Sequence, residues 1–108
     1  MRIVVTGGGG LLGSHLLTLL GGDDVQAPGR EFDLEQRPDW DSLGERVDAI
    51  VYLAQSPHFR LFPERAADVF AVNSGEVLRA LDYARRAGAK RFVYASTGGV
   101  YRPSAEPL

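Results

Sequence analysis

The sequence predicts an α/β domain, a parallel sheet with helices on both faces. Three observations lead there. A short apolar run ends in a glycine cluster and gives way at once to a leucine-rich segment of helical character: Ile3-Val4-Val5-Thr6-Gly7-Gly8-Gly9-Gly10-Leu11-Leu12-Gly13. The runs at 3–6 and 48–54 are nearly all apolar, without the polar alternation of a half-exposed strand, as in strands buried on both faces. Between strands, residues 64–88 repeat apolar positions at intervals of three and four, the period of an amphipathic helix.

Composition bounds the rest. The chain has 108 residues, 44% hydrophobic and 24% charged, which suits one compact domain, 1–108. A net charge of −2 provides no basic footprint, so nucleic acid is not an expected partner. The absence of cysteine excludes disulfides and thiolate metal sites. The first residues enter a strand without a basic segment and long apolar run, so no membrane partner is expected and a cytoplasmic location is.

In order, residues 3–6 form the first strand, and Leu11, Leu12, Leu16, Leu17, Leu19 and Leu20 cover a broad helical face. Gly21-Gly22, residues that tolerate the left-handed conformation, are expected to stop that helix. Asp23-Asp24 turn the chain into a second strand at 25–27, ended by Pro28-Gly29. A short helix is expected at 38–43, its proline near the start and Trp40 covering the core. The third strand spans 48–54. The loop after it contains His58, to which no chemistry is assigned. One long helix runs from Glu64, with Ala67, Phe70, Ala71, Ser74, Val77, Leu78, Leu81 and Ala84 on its apolar face, and Gly88 closes it. The fourth strand begins at Lys90.

The glycine cluster carries the chemistry. Glycines after a strand let the backbone turn sharply, approach phosphates without a Cβ in the way, and pack the next helix closely. The free N–H groups of that helix then face the phosphate charge. Gly8, Gly10 and Gly13 fit G-x-G-x-x-G, while Thr6, Gly7, Gly10 and Gly13 fit T-G-x-x-G-x-x-G. A glycine-rich turn with no ligand is the alternative.

The second spacing resembles the short-chain dehydrogenase/reductase superfamily, and particularly its extended branch of sugar-nucleotide epimerases, dehydratases and reductases. The resemblance implies a Rossmann-type three-layer α/β/α domain, here truncated after about four strands, with strand order 3-2-1-4. It also implies an NAD(P) cofactor held at Thr6, Gly7, Gly10, Leu11, Leu12 and Gly13. The family's ribose-reading acid position holds Gly29, and Arg30 follows. A missing carboxylate beside a guanidinium leans toward NADP, although Arg30 is equally readable as a surface arginine and Glu31 dilutes its potential. Asp33-Leu34 match the pair that contacts adenine, unless Asp33 simply caps a loop. Leu53 and Ala54 stand where the family's third strand passes the cofactor's ribose and phosphates. Asn73 matches the family's asparagine, with Gly75 two residues on instead of three. The run Ser96-Thr97-Gly98-Gly99-Val100-Tyr101 resembles the catalytic signature, with Thr97 at the Ser/Thr that bonds the reacting oxygen and Ser96 beside it.

The family's acid/base, a tyrosine with a lysine four residues on, is missing. Tyrosines stand at 52, 83, 94 and 101, none followed by lysine at that interval, and Lys90 is the only lysine. The chain therefore reads as the amino-terminal part of an NAD(P)-dependent epimerase, dehydratase or reductase acting on a small-molecule substrate, a sugar nucleotide or ketone. It is expected to bind cofactor without turnover, and to self-associate through an open fourth-strand edge. The alternative function is a non-catalytic dinucleotide-binding sensor or regulatory module. A flavin or mononucleotide binder is a third reading.

Overall fold

The computed structural model describes residues 1–21, 24–61 and 63–95. Four parallel strands form its sheet: β1 (Arg2–Thr6), β2 (Asp24–Gln26), β3 (Ala49–Tyr52) and β4 (Arg91–Tyr94). Their spatial order is β2-β1-β3-β4. This corrects the expected order 3-2-1-4, which placed the second strand inside the sheet. Polarity and length explain the difference. β2 is three residues long, with Asp24 exposed and Val25 and Gln26 only partly buried, and such a strand belongs at an edge. β3 is almost wholly buried and takes the interior place beside β1. Between β2 and β3 the chain makes only two 3₁₀ turns, Leu34–Gln36 and Trp40–Leu43, and no α-helix.

The alternating side chains of β1 and β3 define two cores, one on each face of the sheet. On one face Ile3, Val5 and Ala49 pack under Leu16, Leu17 and Leu20 of helix α1 (Leu11–Leu19) and its end. On the other, Val4, Ile50 and Tyr52 meet Trp40, Leu43, Ala80, Tyr83, Ala84 and Ala87. The three-layer α/β/α arrangement is thus present.

Two helical expectations need correction. α1 does not bury a broad leucine face: Leu11 and Leu19 are each 82% exposed and Leu12 is 63% exposed. The residue α1 fully buries is Gly13, because the helix rests on the glycine turn at that point. The helix does stop where expected: α1 closes at Leu20, with Gly21 N–H donating to the Thr18 carbonyl, although Gly21 itself is not left-handed. Gly22 lies outside the described residues.

The long helix is also interrupted. It runs as α2 (Ala66–Phe70), a π-helical turn (Ala71–Gly75) and α3 (Glu76–Ala87), with Glu76 N–H reaching the Ala71 carbonyl five residues back. The widened turn rotates all that follows relative to a continuous helix. The buried face is therefore Val72, Glu76, Ala80, Tyr83, Ala84 and Ala87, while Phe70, Leu78 and Leu81 from the predicted face are exposed. Gly88 does close the helix, at φ 79°.

Trp40 is core cover as expected. It is 2% exposed, edge-on to Phe32 at 5.0 Å, and its indole N–H donates to Glu76 at 2.8 Å.

Candidate functional site

The β1–α1 turn is built so that two glycines have no substitute. Gly7 sits at φ +78°, and a Cβ there would lie 2.8 Å from the Ala54 nitrogen and the Leu53 carbonyl carbon. A Cβ on Gly13 would lie 2.2 Å from the Gly7 carbonyl oxygen. Gly10 N–H closes the turn onto the same oxygen at 3.1 Å. Gly8 is less constrained, since a Cβ there would first meet the movable end of Leu17 at 3.0 Å, and Gly9 faces open space. The backbone thus needs glycine at 7 and 13, which fits the T-G-x-x-G-x-x-G register better than one beginning at Gly8.

A groove of about 500 Å³ opens at the carboxyl ends of β1, β2 and β3, a volume within the range of small-molecule sites. Thr6, Gly7, Gly8 and Gly9 form its floor. Arg30, Asp33, Leu34 and Glu35 line the β2 side; Ala54, Gln55 and Pro57 line the β3 side. The site residues brought together are therefore Thr6, Gly7, Arg30, Asp33, Leu34 and Ala54. Gly10, Leu11, Leu12 and Gly13 belong to the turn and first helical residues, beside the groove but outside its lining. Leu53 also lies outside the lining, its backbone packed against Gly7. Ser96 and Thr97 lie outside the described residues.

The electrostatics suit an anion. α1 has no acidic residue in its first turn and no side chain on its free N–H groups, so its positive end is unopposed. The Thr6 hydroxyl is buried and has no hydrogen-bond partner among the described residues. Thr6 lines the groove, and its unpartnered hydroxyl lies just beneath the groove surface. Arg30 lines the groove with no partner among the described residues. Glu31 lies outside the lining, its carboxylate accepting from Gly29 N–H at 3.1 Å.

Asp33 does cap: one carboxylate oxygen accepts from Glu35 N–H at 3.0 Å, at the start of the first 3₁₀ turn. It lines the groove as well. Asn73 sits in the π turn, outside the groove lining, and acts on the backbone. Its side-chain oxygen accepts from Ser56 N–H at 3.0 Å, and its carbonyl accepts from the Tyr94 hydroxyl at 3.1 Å. Tyr52 is fully buried, and its hydroxyl donates to the Val72 carbonyl. Burial, then the Glu76 charge, push its phenol well above the ordinary range.

Sequence reasoning missed the Glu35–His58–Ser56 cluster beside the groove. His58 Nδ1 lies 2.8 Å from a Glu35 carboxylate oxygen, and the Ser56 hydroxyl accepts from His58 N–H at 3.1 Å. No local signal marks a contact between residues 23 positions apart.

Parallel strands, a glycine turn between β1 and α1, and a groove across the strands' carboxyl ends define a Rossmann-type domain. The model of the NAD dependent epimerase/dehydratase family matches residues 3–108, and the chain belongs to that family. Among solved structures it is similar to a short-chain dehydrogenase/reductase superfamily protein from Agrobacterium tumefaciens with bound NAD. Identity is 30% and TM-score 0.77, over 100% of this chain and 37% of that one. It is also similar to a UDP-galactose 4-epimerase, at 28% identity and TM-score 0.72, over 94% of this chain and 40% of that one. RMD from Pseudomonas aeruginosa complexed with NADPH aligns at 27% identity and TM-score 0.70, over 97% and 38%. The chain thus spans about two fifths of the length of these relatives. Among proteins of curated function, none matches significantly.

Proposed function

We propose that the groove holds a nicotinamide dinucleotide, and that the chain is the cofactor-binding part of an NAD(P)-dependent epimerase, dehydratase or reductase. The observation that carries this reading is the unopposed amino end of α1 over a turn that only glycine can make at Gly7 and Gly13. The pyrophosphate lies along Gly7, Gly10, Leu11, Leu12 and Gly13, where backbone N–H groups replace its hydration, with the Thr6 hydroxyl beneath. Asp33 and Leu34 receive the adenine. Leu53 and Ala54 present strand-end backbone to the ribose and phosphate side, and Asn73 fixes the loop that follows.

When bound, the nicotinamide accepts or returns a hydride; the chain's own part is to grip and orient. Thr97, with Ser96 beside it, orients the substrate oxygen, a hydroxyl or carbonyl of a sugar nucleotide or ketone. No tyrosine of the 108 residues has lysine four positions on, so the chain is expected to bind cofactor without hydride transfer.

The cofactor reading leans to NADP. Arg30 lines the groove with no partner among the described residues, and the adjacent Glu31 carboxylate is tied back to Gly29 N–H. A guanidinium there forms charge-assisted bonds to a 2′-phosphate. Fluorescence titration with NADPH, NADH and FMN tests this. NADPH binds tightest, by about tenfold over NADH, and Arg30→Ala removes that margin. Tighter NADH binding contradicts the lean to NADP; binding of FMN alone contradicts the dinucleotide reading.

A further inference from the structure

The segments after β2 and β3 flank the glycine turn of β1, because β1 lies between those strands. Side-chain contacts at Glu35 join the two segments beside the groove. Glu35, in the 3₁₀ turn Leu34–Gln36, accepts from His58 Nδ1 at 2.8 Å and from the Ser56 hydroxyl at 3.4 Å. Both ends of this contact are held. The Glu35 backbone N–H is bonded to the Asp33 carboxylate. On the other side, Ser56 is 1% exposed, its N–H is held by Asn73, and its hydroxyl receives His58 N–H. The imidazole is therefore presented from a fixed backbone, and the Glu35 side chain is only 16% exposed.

We infer that Glu35 and His58 are a positioning pair, a clasp that fixes the Asp33-Leu34 turn against the loop after β3 and so sets the adenosine end of the groove. This rests on the dinucleotide reading above. The pair touches no cofactor atom in this role. It acts through Asp33 and Leu34, which adjoin Glu35 and line the groove with it. A carboxylate–imidazole hydrogen bond this poorly exposed is stronger than a solvated surface pair. Its loss frees the turn to drift, and part of the binding energy then goes to ordering it.

The test is a double-mutant cycle read in affinity. NADPH and ADP-ribose are titrated into the wild-type chain, Glu35→Ala, His58→Ala and the double variant, with circular dichroism confirming that each is folded. If either alanine variant unfolds, Glu35→Leu and His58→Leu replace them. Each single variant should bind about fivefold to tenfold more weakly, and the double variant no more weakly than Glu35→Ala alone, because that change already breaks the contact that His58→Ala breaks. ADP-ribose should lose the same factor as NADPH, since the clasp serves the adenosine half. Single variants within about twofold of wild type, losses that multiply in the double variant, or a loss seen with NADPH alone would each overturn the clasp while leaving the dinucleotide reading intact. A wild-type chain that binds neither ligand overturns the dinucleotide reading, and the clasp with it.

Discussion

A methyl group on Gly13 would meet the Gly7 carbonyl oxygen at 2.2 Å, whereas one on Gly9 would meet nothing within 4 Å. The two glycines therefore do different work, one in packing and one in leaving the groove clear. Gly13→Ala forces α1 away from the β1 turn and should cost more than about 3 kcal/mol in urea unfolding. Gly9→Ala should stay within about 0.5 kcal/mol of wild type yet weaken NADPH binding, because Gly9 lines the groove floor. A destabilised Gly9→Ala chain with intact binding would reverse that division. The glycine pattern was legible in the sequence because backbone geometry dictates residue type there. Trp40 was legible too, as a large aromatic within a short expected helix. His58 was not, because its partner Glu35 comes close only once β1, β2 and β3 are side by side. Arg30 and Asp33 were legible by position, while the tie that turns Glu31 away from the groove depends on local loop geometry.

At the scale of elements, the segment Ala66–Ala87 shows what periodicity can and cannot reveal. Its helical character follows from spacing, but the π turn at Ala71–Gly75 changes the face it buries. The widening places Asn73 where it holds Ser56 N–H and accepts from Tyr94. A strict three-and-four reading selects Leu78 and Leu81, which are exposed, and overlooks Tyr83, which is 1% exposed. Two phenols now lie between α3, or the π turn, and the sheet. Tyr52 donates to the Val72 carbonyl, and Tyr83 to the Gly44 carbonyl at 2.8 Å. Burial raises both above the ordinary phenol range. The folded state thus retains these protons more tightly than the unfolded chain does. Their contribution is complete below the unfolded value, about 10, and is lost as pH rises beyond it. Urea midpoints should accordingly hold near about pH 8 and fall by about pH 11, and Tyr52→Phe should flatten that fall. An unchanged midpoint across the range would contradict the burial of both hydroxyls.

For the whole molecule, the sequence carried the three-layer architecture but not the strand order. Four apolar or mixed runs say that a parallel sheet forms; which runs are neighbours depends on how much chain bridges them and which edges tolerate water. The short, polar β2 held that information, since a strand with Asp24 and Gln26 fits an edge. β4 occupies the opposite edge of the described sheet, with Val93 51% and Tyr94 45% exposed. An apolar parallel edge invites pairing, and we propose that copies of this chain associate there. Light scattering coupled to size exclusion should give a mass above the monomer's 11.7 kDa that falls when Val93 is replaced by lysine. A monomer at all concentrations would contradict this.

In the proposed function a dinucleotide lies across the carboxyl ends of β1, β2 and β3 with its pyrophosphate at the start of α1. Backbone amide shifts mapped by NMR during an NADPH titration test this most directly. The largest perturbations should fall at Gly7 to Gly13, with a second group at Arg30 to Leu34 and a third at Leu53 and Ala54. Saturating NADPH that leaves the Gly7 to Gly13 amides unmoved would contradict it.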